Sequence, residues 1–168
     1  MRIPIYQIDA FSSQPFKGNP AAVCPLEEWL PDEVMQSIAM ENNLSETAFF
    51  IKNEDQYDIR WFAPKIEIDL AGHPTLATAH VIFNEMNHYG NNITFNSKIG
   101  DTLEIVRNKD IISMNFPSRP PKKIHKKKLI EEAIGVEVEE FYENRDGLAV
   151  VANEEIVRNL APSMDKIS

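Results

Sequence analysis

With 168 residues, 43% of them hydrophobic, the chain is long enough to bury a sizeable core, and its composition excludes the disordered and collagen-like classes. Its 17 basic against 26 acidic residues give a formal charge of −9, which argues against a general nucleic-acid or membrane-surface binder. Cys24 is the only cysteine, so an intrachain disulfide is excluded and a reducing cytoplasm is the expected compartment.

The opening segment alternates as a strand over about residues 3–9 and lacks the longer apolar core of a secretion signal. Nowhere is an apolar run long enough to span a bilayer, so a soluble protein is expected. A loop rich in Ser, Pro and Gly leads to Gly18-Asn19-Pro20, a turn whose amides can point at a ligand, and then to a short apolar strand ending at Cys24. Pro31 opens a helix to about Met40 with Val34, Met35, Ile38 and Ala39 on one face, and Asn42-Asn43 ends it. Residues 46–51 and 57–62 read as strands.

The stretch Asp69 to His80 carries the strongest local signal. A strand-like run ends at Gly72-His73-Pro74, and Pro74 suits the first position of a helix because its missing N–H is one of the donors left unpaired there. Gly72 lets backbone approach a ligand, and the free first-turn amides with the positive end of the helix dipole favour a carboxylate or phosphate, with His73 at the rim. Leu76, Ala77, Ala79, Val81, Ile82 and Phe83 are apolar around most of the circumference, which predicts a helix buried inside a curved sheet. His73 and His80 stand about 10 Å apart along a helix axis, too far to share a metal ion. Three further strands are expected at about 92–98, 102–107 and 111–116.

Past them, Pro117-Ser118-Arg119-Pro120-Pro121 and the basic residues Lys122, Lys123, Lys126, Lys127 and Lys128 read as a solvated linker running into a helix that stops at Gly135. A short strand at 148–152 and a helix at 154–160 follow. The division expected is a first lobe over 1–116, a linker over 117–123, and a second unit over 124–168 with too few apolar residues for a core of its own.

Glu46, within Asn43-Leu44-Ser45-Glu46-Thr47, is the second chemical candidate. It precedes an apolar strand; facing the interior it would suit general acid/base work, since burial disfavours a carboxylate's charged form. Each motif also has an ordinary reading. Helix starts with Gly, His and Pro occur in proteins that bind nothing there, a glutamate can simply open a strand at the surface, and Gly-Asn-Pro is a common turn.

Together, Asp9-Ala10-Phe11, Phe16 to Val23, Asn43 to Phe49, Arg60-Trp61-Phe62 and Ala71 to Thr75, in this order and spacing, resemble the phenazine-biosynthesis PhzF-like isomerase family. The resemblance implies an α+β, diaminopimelate epimerase-like fold: two pseudo-symmetric lobes, each a mainly antiparallel curved sheet around a central helix, with the active site between them. It assigns Glu46 as the catalytic acid/base moving a proton between carbons of a small cyclic or amino carboxylic acid. His73 would assist, while Asn19, Gly72, His73 and Pro74 bind substrate. No cofactor and no metal are implied.

Related racemases of this fold use two thiols, whereas here His73 stands where one would be and Cys24 reads as a buried small hydrophobe. The family's second lobe carries an acidic residue and a Gly-Ser-Ala-His-type helix start, and neither is present, so residues 124–168 resemble only its opening. Two expectations follow. One is a PhzF-like isomerase, or half of one, that forms a homo-oligomer or joins a complementing second lobe; the alternative is a non-catalytic remnant or small-carboxylate binding module.

Overall fold

The computed structural model describes residues 2–167, in two compact units that divide between Phe116 and Pro117. The first is an eight-stranded sheet with two helices. Its elements in chain order are β1 (Tyr6–Ala10), β2 (Asn19–Leu26), α1 (Asp32–Asn42), β3 (Glu46–Asn53), β4 (Gln56–Phe62), β5 (Glu67–Ile68), α2 (Gly72–Glu85), β6 (Asn92–Ser97), β7 (Thr102–Asn108) and β8 (Ile111–Asn115). The strands run β1-β2-β3-β4-β6-β7-β8, with β5 also paired to β4. Only β2 with β3 and β4 with β6 are parallel, and each of those pairs is joined through a helix as a parallel crossover requires.

The two helices take opposite faces, and strand alternation decides which residues meet each. Ala21, Val23, Ala48, Phe50, Ile59 and Trp61 point to α2, whereas Cys24, Phe49 and Phe62 point to Met35 and Ala39 of α1. Strands from β1, with Tyr6 and Ile8, to β8, with Ile112 and Met114, contribute to the single core around α2. A sheet whose first and last strands reach the same helix must curl around it. Eight of the fourteen residues of α2 are buried, Pro74, Thr75, Ala77, Thr78, Ala79, Val81, Ile82 and Phe83, as its all-round apolar sequence predicts. The two buried threonines satisfy their hydroxyls by donating to carbonyls one turn back, Thr75 to Ala71 at 2.6 Å and Thr78 to Pro74 at 2.7 Å.

The structure departs from the sequence reading in several places. β2 begins at Asn19 rather than Ala21, because the Gly18 turn lies tight against β1 and hands its next residue directly to the ladder at Ala10. Of the strand-like run expected before Gly72, only Glu67 and Ile68 form a strand, β5, opposite Phe62 and Trp61 of β4. Helix α2 starts at Gly72, so Pro74 sits third in the helix, still inside the first turn where no N–H is needed. In the second unit, Lys122 and Lys123, expected to be linker, form β9, which pairs with β10 (Glu140–Glu143), itself paired to β11 (Gly147–Val150). Helices α3 (Lys127–Ile134), α4 (Glu154–Arg158) and α5 (Met164–Ile167) complete that unit. The small buried set there is Ala133, Val138 and Phe141, and Gly135 ends α3 in the left-handed region at φ 78°.

Candidate active site

Glu46 is the first residue of β3 and shares its parity with Ala48 and Phe50, so its side chain lies on the face that α2 covers. Asn19 opens β2 with the parity of Ala21, and Ala21 is the register partner of Glu46. The start of α2 brings Gly72, His73 and Pro74 to the same place. His73 Nε2 lies 3.3 Å from Glu46 Oε2, and the two side chains are 10% and 18% exposed. The contact is close enough for an ion pair whenever the imidazole is protonated, yet its angle makes no hydrogen bond: Glu46 Oε2 is buried without a hydrogen-bond partner. A buried acceptor in that state is costly and chemically available.

Ser45, which the sequence reading did not single out as a site residue, completes the constellation. Its Oγ stands 3.3 Å from the same His73 Nε2, and 3.5 Å from both Asn19 Oδ1 and the Pro20 carbonyl oxygen, at the outer limit for hydrogen bonds. The only sequence clue was its place beside Glu46, since consecutive strand residues normally face opposite ways. Ser45 escapes that rule by preceding β3. A Ser-His-Glu grouping invites comparison with a hydrolase, but the geometry is wrong for one. In a triad the acid orients the imidazole through the nitrogen opposite the nucleophile, whereas Glu46 and Ser45 both meet Nε2.

At Gly72 a Cβ would meet nothing within 4 Å, so this glycine leaves open space at the helix start rather than relieving a clash. No side-chain hydrogen bond caps α2 at its N-cap, Ala71, which is extended. Cys24 lies on the other face of the sheet, 1% exposed, and burial pushes its thiol up to about 12. Such a thiol is not a nucleophile at neutral pH. Among the described residues no group of three or more His, Cys, Asp or Glu side chains could hold a metal ion, and no helix is long and apolar enough to cross a membrane.

A half-barrel of mixed sheet around a buried helix is the diaminopimelate epimerase-like class, and a predicted epimerase of Pseudomonas aeruginosa shares that fold at TM-score 0.76 over 96% of this chain, although only 19% identical. The family model described as phenazine biosynthesis-like protein matches residues 8–167. An uncharacterized isomerase of Pseudomonas aeruginosa is 42% identical over 167 residues, covering 99% of this chain and 64% of its own. The crystal structure of a PhzF family protein from Enterococcus faecalis is similar at TM-score 0.88 and 44% identity, again over 99% of this chain and 64% of the other. The human phenazine biosynthesis-like domain-containing protein is 40% identical over 80% of this chain and 50% of its own length. The chain belongs to the phenazine biosynthesis-like, PhzF family. It spans between half and somewhat less than two thirds of the length of these relatives.

Proposed function

We propose that the protein is a PhzF-like isomerase, or the part of one that carries the proton donor and acceptor, acting on a small cyclic or amino carboxylic acid. The observation that carries this reading is the buried Glu46 Oε2, without a hydrogen bond and 3.3 Å from His73 Nε2. As a carboxylate, Glu46 takes a proton from a substrate carbon, leaving an electron pair delocalised over the adjoining unsaturation. The resulting carboxylic acid then returns the proton to a second carbon of the same system. His73 assists that transfer from its position against both Glu46 and Ser45. The substrate carboxylate sits at the start of α2, on the amides beyond Gly72, flanked by His73, Pro74 and Asn19. The chemistry needs a positioned base and a stabilised anion, and these residues supply both.

The uncapped start of α2, with open space at Gly72, also suits a second reading in which these residues bind a small carboxylate without turning it over. Partners of the isomerase reading are a second copy of the chain or a segment supplying the remainder of the second lobe, in a reducing cytoplasm that suits the free Cys24. Proton exchange by NMR in deuterated water, over a panel of small cyclic and amino acids, separates the readings. Exchange that falls ~10²-fold or more in Glu46→Gln supports the isomerase. Saturable binding of a carboxylate with no exchange, alone or with a second-lobe segment added, moves the protein to the binding class.

A further inference from the structure

Arg60, from the Arg60-Trp61-Phe62 block, has no part in the proton transfer, yet it is 8% exposed and sits in a charge network with Asp32, Glu67 and Lys98. Its guanidinium grips Glu67 through Nε and a terminal nitrogen at 2.7 and 2.8 Å, and its other terminal nitrogen meets Asp32 at 2.9 Å. Lys98 adds a second hold on Glu67 at 2.7 Å. The rings of Trp29 and Phe62 lie 5.4 and 5.1 Å from the guanidinium carbon. The hydrogen bond from Arg60 holds the Glu67 carboxyl below its ordinary 4.5, so the pair is ionised at neutral pH. Arg60 is buried but Glu67 is only partly so, and the planar fork of this pair fixes where the Glu67 carboxylate sits more than it adds stability.

The backbone around it lacks direction. Along β4 the neighbouring strand changes at Arg60: Ile59 is opposite Ser97 of β6, and Trp61 is opposite Ile68 of β5. A cavity of about 250 Å³, lined by Ile59, Trp61, Ile68 and Ile99, opens at this change. Strand β5 is held to β4 by two register pairs only, and the turn before it is closed by one backbone bond, Ala63 N–H to the Ile66 carbonyl. Its sequence is degenerate as well. Ile66-Glu67-Ile68-Asp69-Leu70 alternates throughout, so a slip of two residues presents Leu70 instead of Ile68 to Trp61 and leaves the alternation in phase, with Ile66 already 63% exposed. Such a slip would draw the start of α2 along β4 by about 6.6 Å and take His73 away from Glu46. Asp69 in place of Glu67 is one methylene short for the Arg60 fork.

We propose that Arg60 is a positioning residue that pins β5 in the one register that delivers His73 to Glu46. The proposal rests on the catalytic reading of that pair, but its test does not need turnover. In Arg60→Met/Glu67→Leu, which leaves no unpaired charge between them, two NMR signals are read: the cross-strand Hα contact of Trp61 with its β5 partner, and the long-range proton–nitrogen pattern of the His73 ring, which reports its tautomer. The expected result is a second contact, Trp61 to Leu70, and loss of the native His73 pattern. Arg60→Lys, which keeps the charge but not the fork, is expected to show the same loss, and it carries the decision if the double variant does not fold. Persistence of the Trp61–Ile68 contact alone with an unchanged His73 ring in a folded variant overturns the proposal. Loss of proton exchange in the wild type leaves it standing, because neither signal depends on substrate.

Discussion

Glu46 and Cys24 show how the same sheet produces opposite chemistry on its two faces. Both side chains belong to central strands, one residue of β2 or β3 deciding the side by parity. Glu46 reaches the face of α2 and finds His73 and Ser45; Cys24 reaches the face of α1 and finds Met35, Ala39, Phe49 and Phe62. The thiol therefore serves as a small apolar filler. It is expected not to react with a disulfide reagent at pH 8 while the protein is folded and to react fully once denatured; fast stoichiometric labelling of the folded chain would contradict its burial. Because its pKa is raised from 9.0 to about 12, the folded state retains the proton over a pH range where the unfolded chain loses it. Stability accordingly declines as pH rises from about 9 toward about 12. The identity of Glu46 and His73 as a pair was legible from their motifs. Ser45 was not, because its orientation depends on where β3 begins, and element ends are the part of a pattern that local residues specify least.

At the scale of elements, the loop between β1 and β2 sets where Asn19 enters the site. Phe16 donates its N–H to Asp9 Oδ2 at 2.7 Å, and Phe11 and Phe16 both hold φ 64°. Gly18 closes the loop against β1 so tightly that a Cβ there would stand 2.5 Å from the Ala10 carbonyl oxygen. That atom is backbone and cannot turn aside. Gly18→Ala is therefore expected to destabilise the protein by ~1–3 kcal/mol, as overpacking does. It should also displace Asn19, read as a lowered denaturation midpoint and shifted amide signals for Asn19 and Ser45. An unchanged midpoint with unmoved signals would refute the close approach. The helix α2 was legible from its apolar circumference, which only a buried helix can satisfy. The strand-like run before Gly72 was legible, but which of its residues pair with β4 was not, because its alternation fits more than one register.

For the whole molecule, several large apolar side chains of the first unit stand exposed. Phe11, Phe16 and Ile111 are 72%, 94% and 69% exposed. Phe11 lines a cavity of about 400 Å³ with Ile8, Leu76, His80, Asp110 and Ile112. Apolar surface of this kind favours association, while a charge of −9 opposes it by repulsion between copies. Self-association is therefore expected in sedimentation at micromolar concentration and should strengthen with added salt, which screens the repulsion. A monomer at every salt concentration would count against it. What the sequence by itself determined is the inventory and its local grammar: one buried helix, the strands with their inner and outer faces, the family blocks, and the candidate pair Glu46 and His73. Only the tertiary structure decided which distant residues meet, namely Asn19, Ser45 and Glu46 with the start of α2, and Arg60 with Glu67, Asp32 and Lys98. The physical reason is that periodicity reports each element's own faces, whereas register and helix placement come from pairing between segments far apart in the chain.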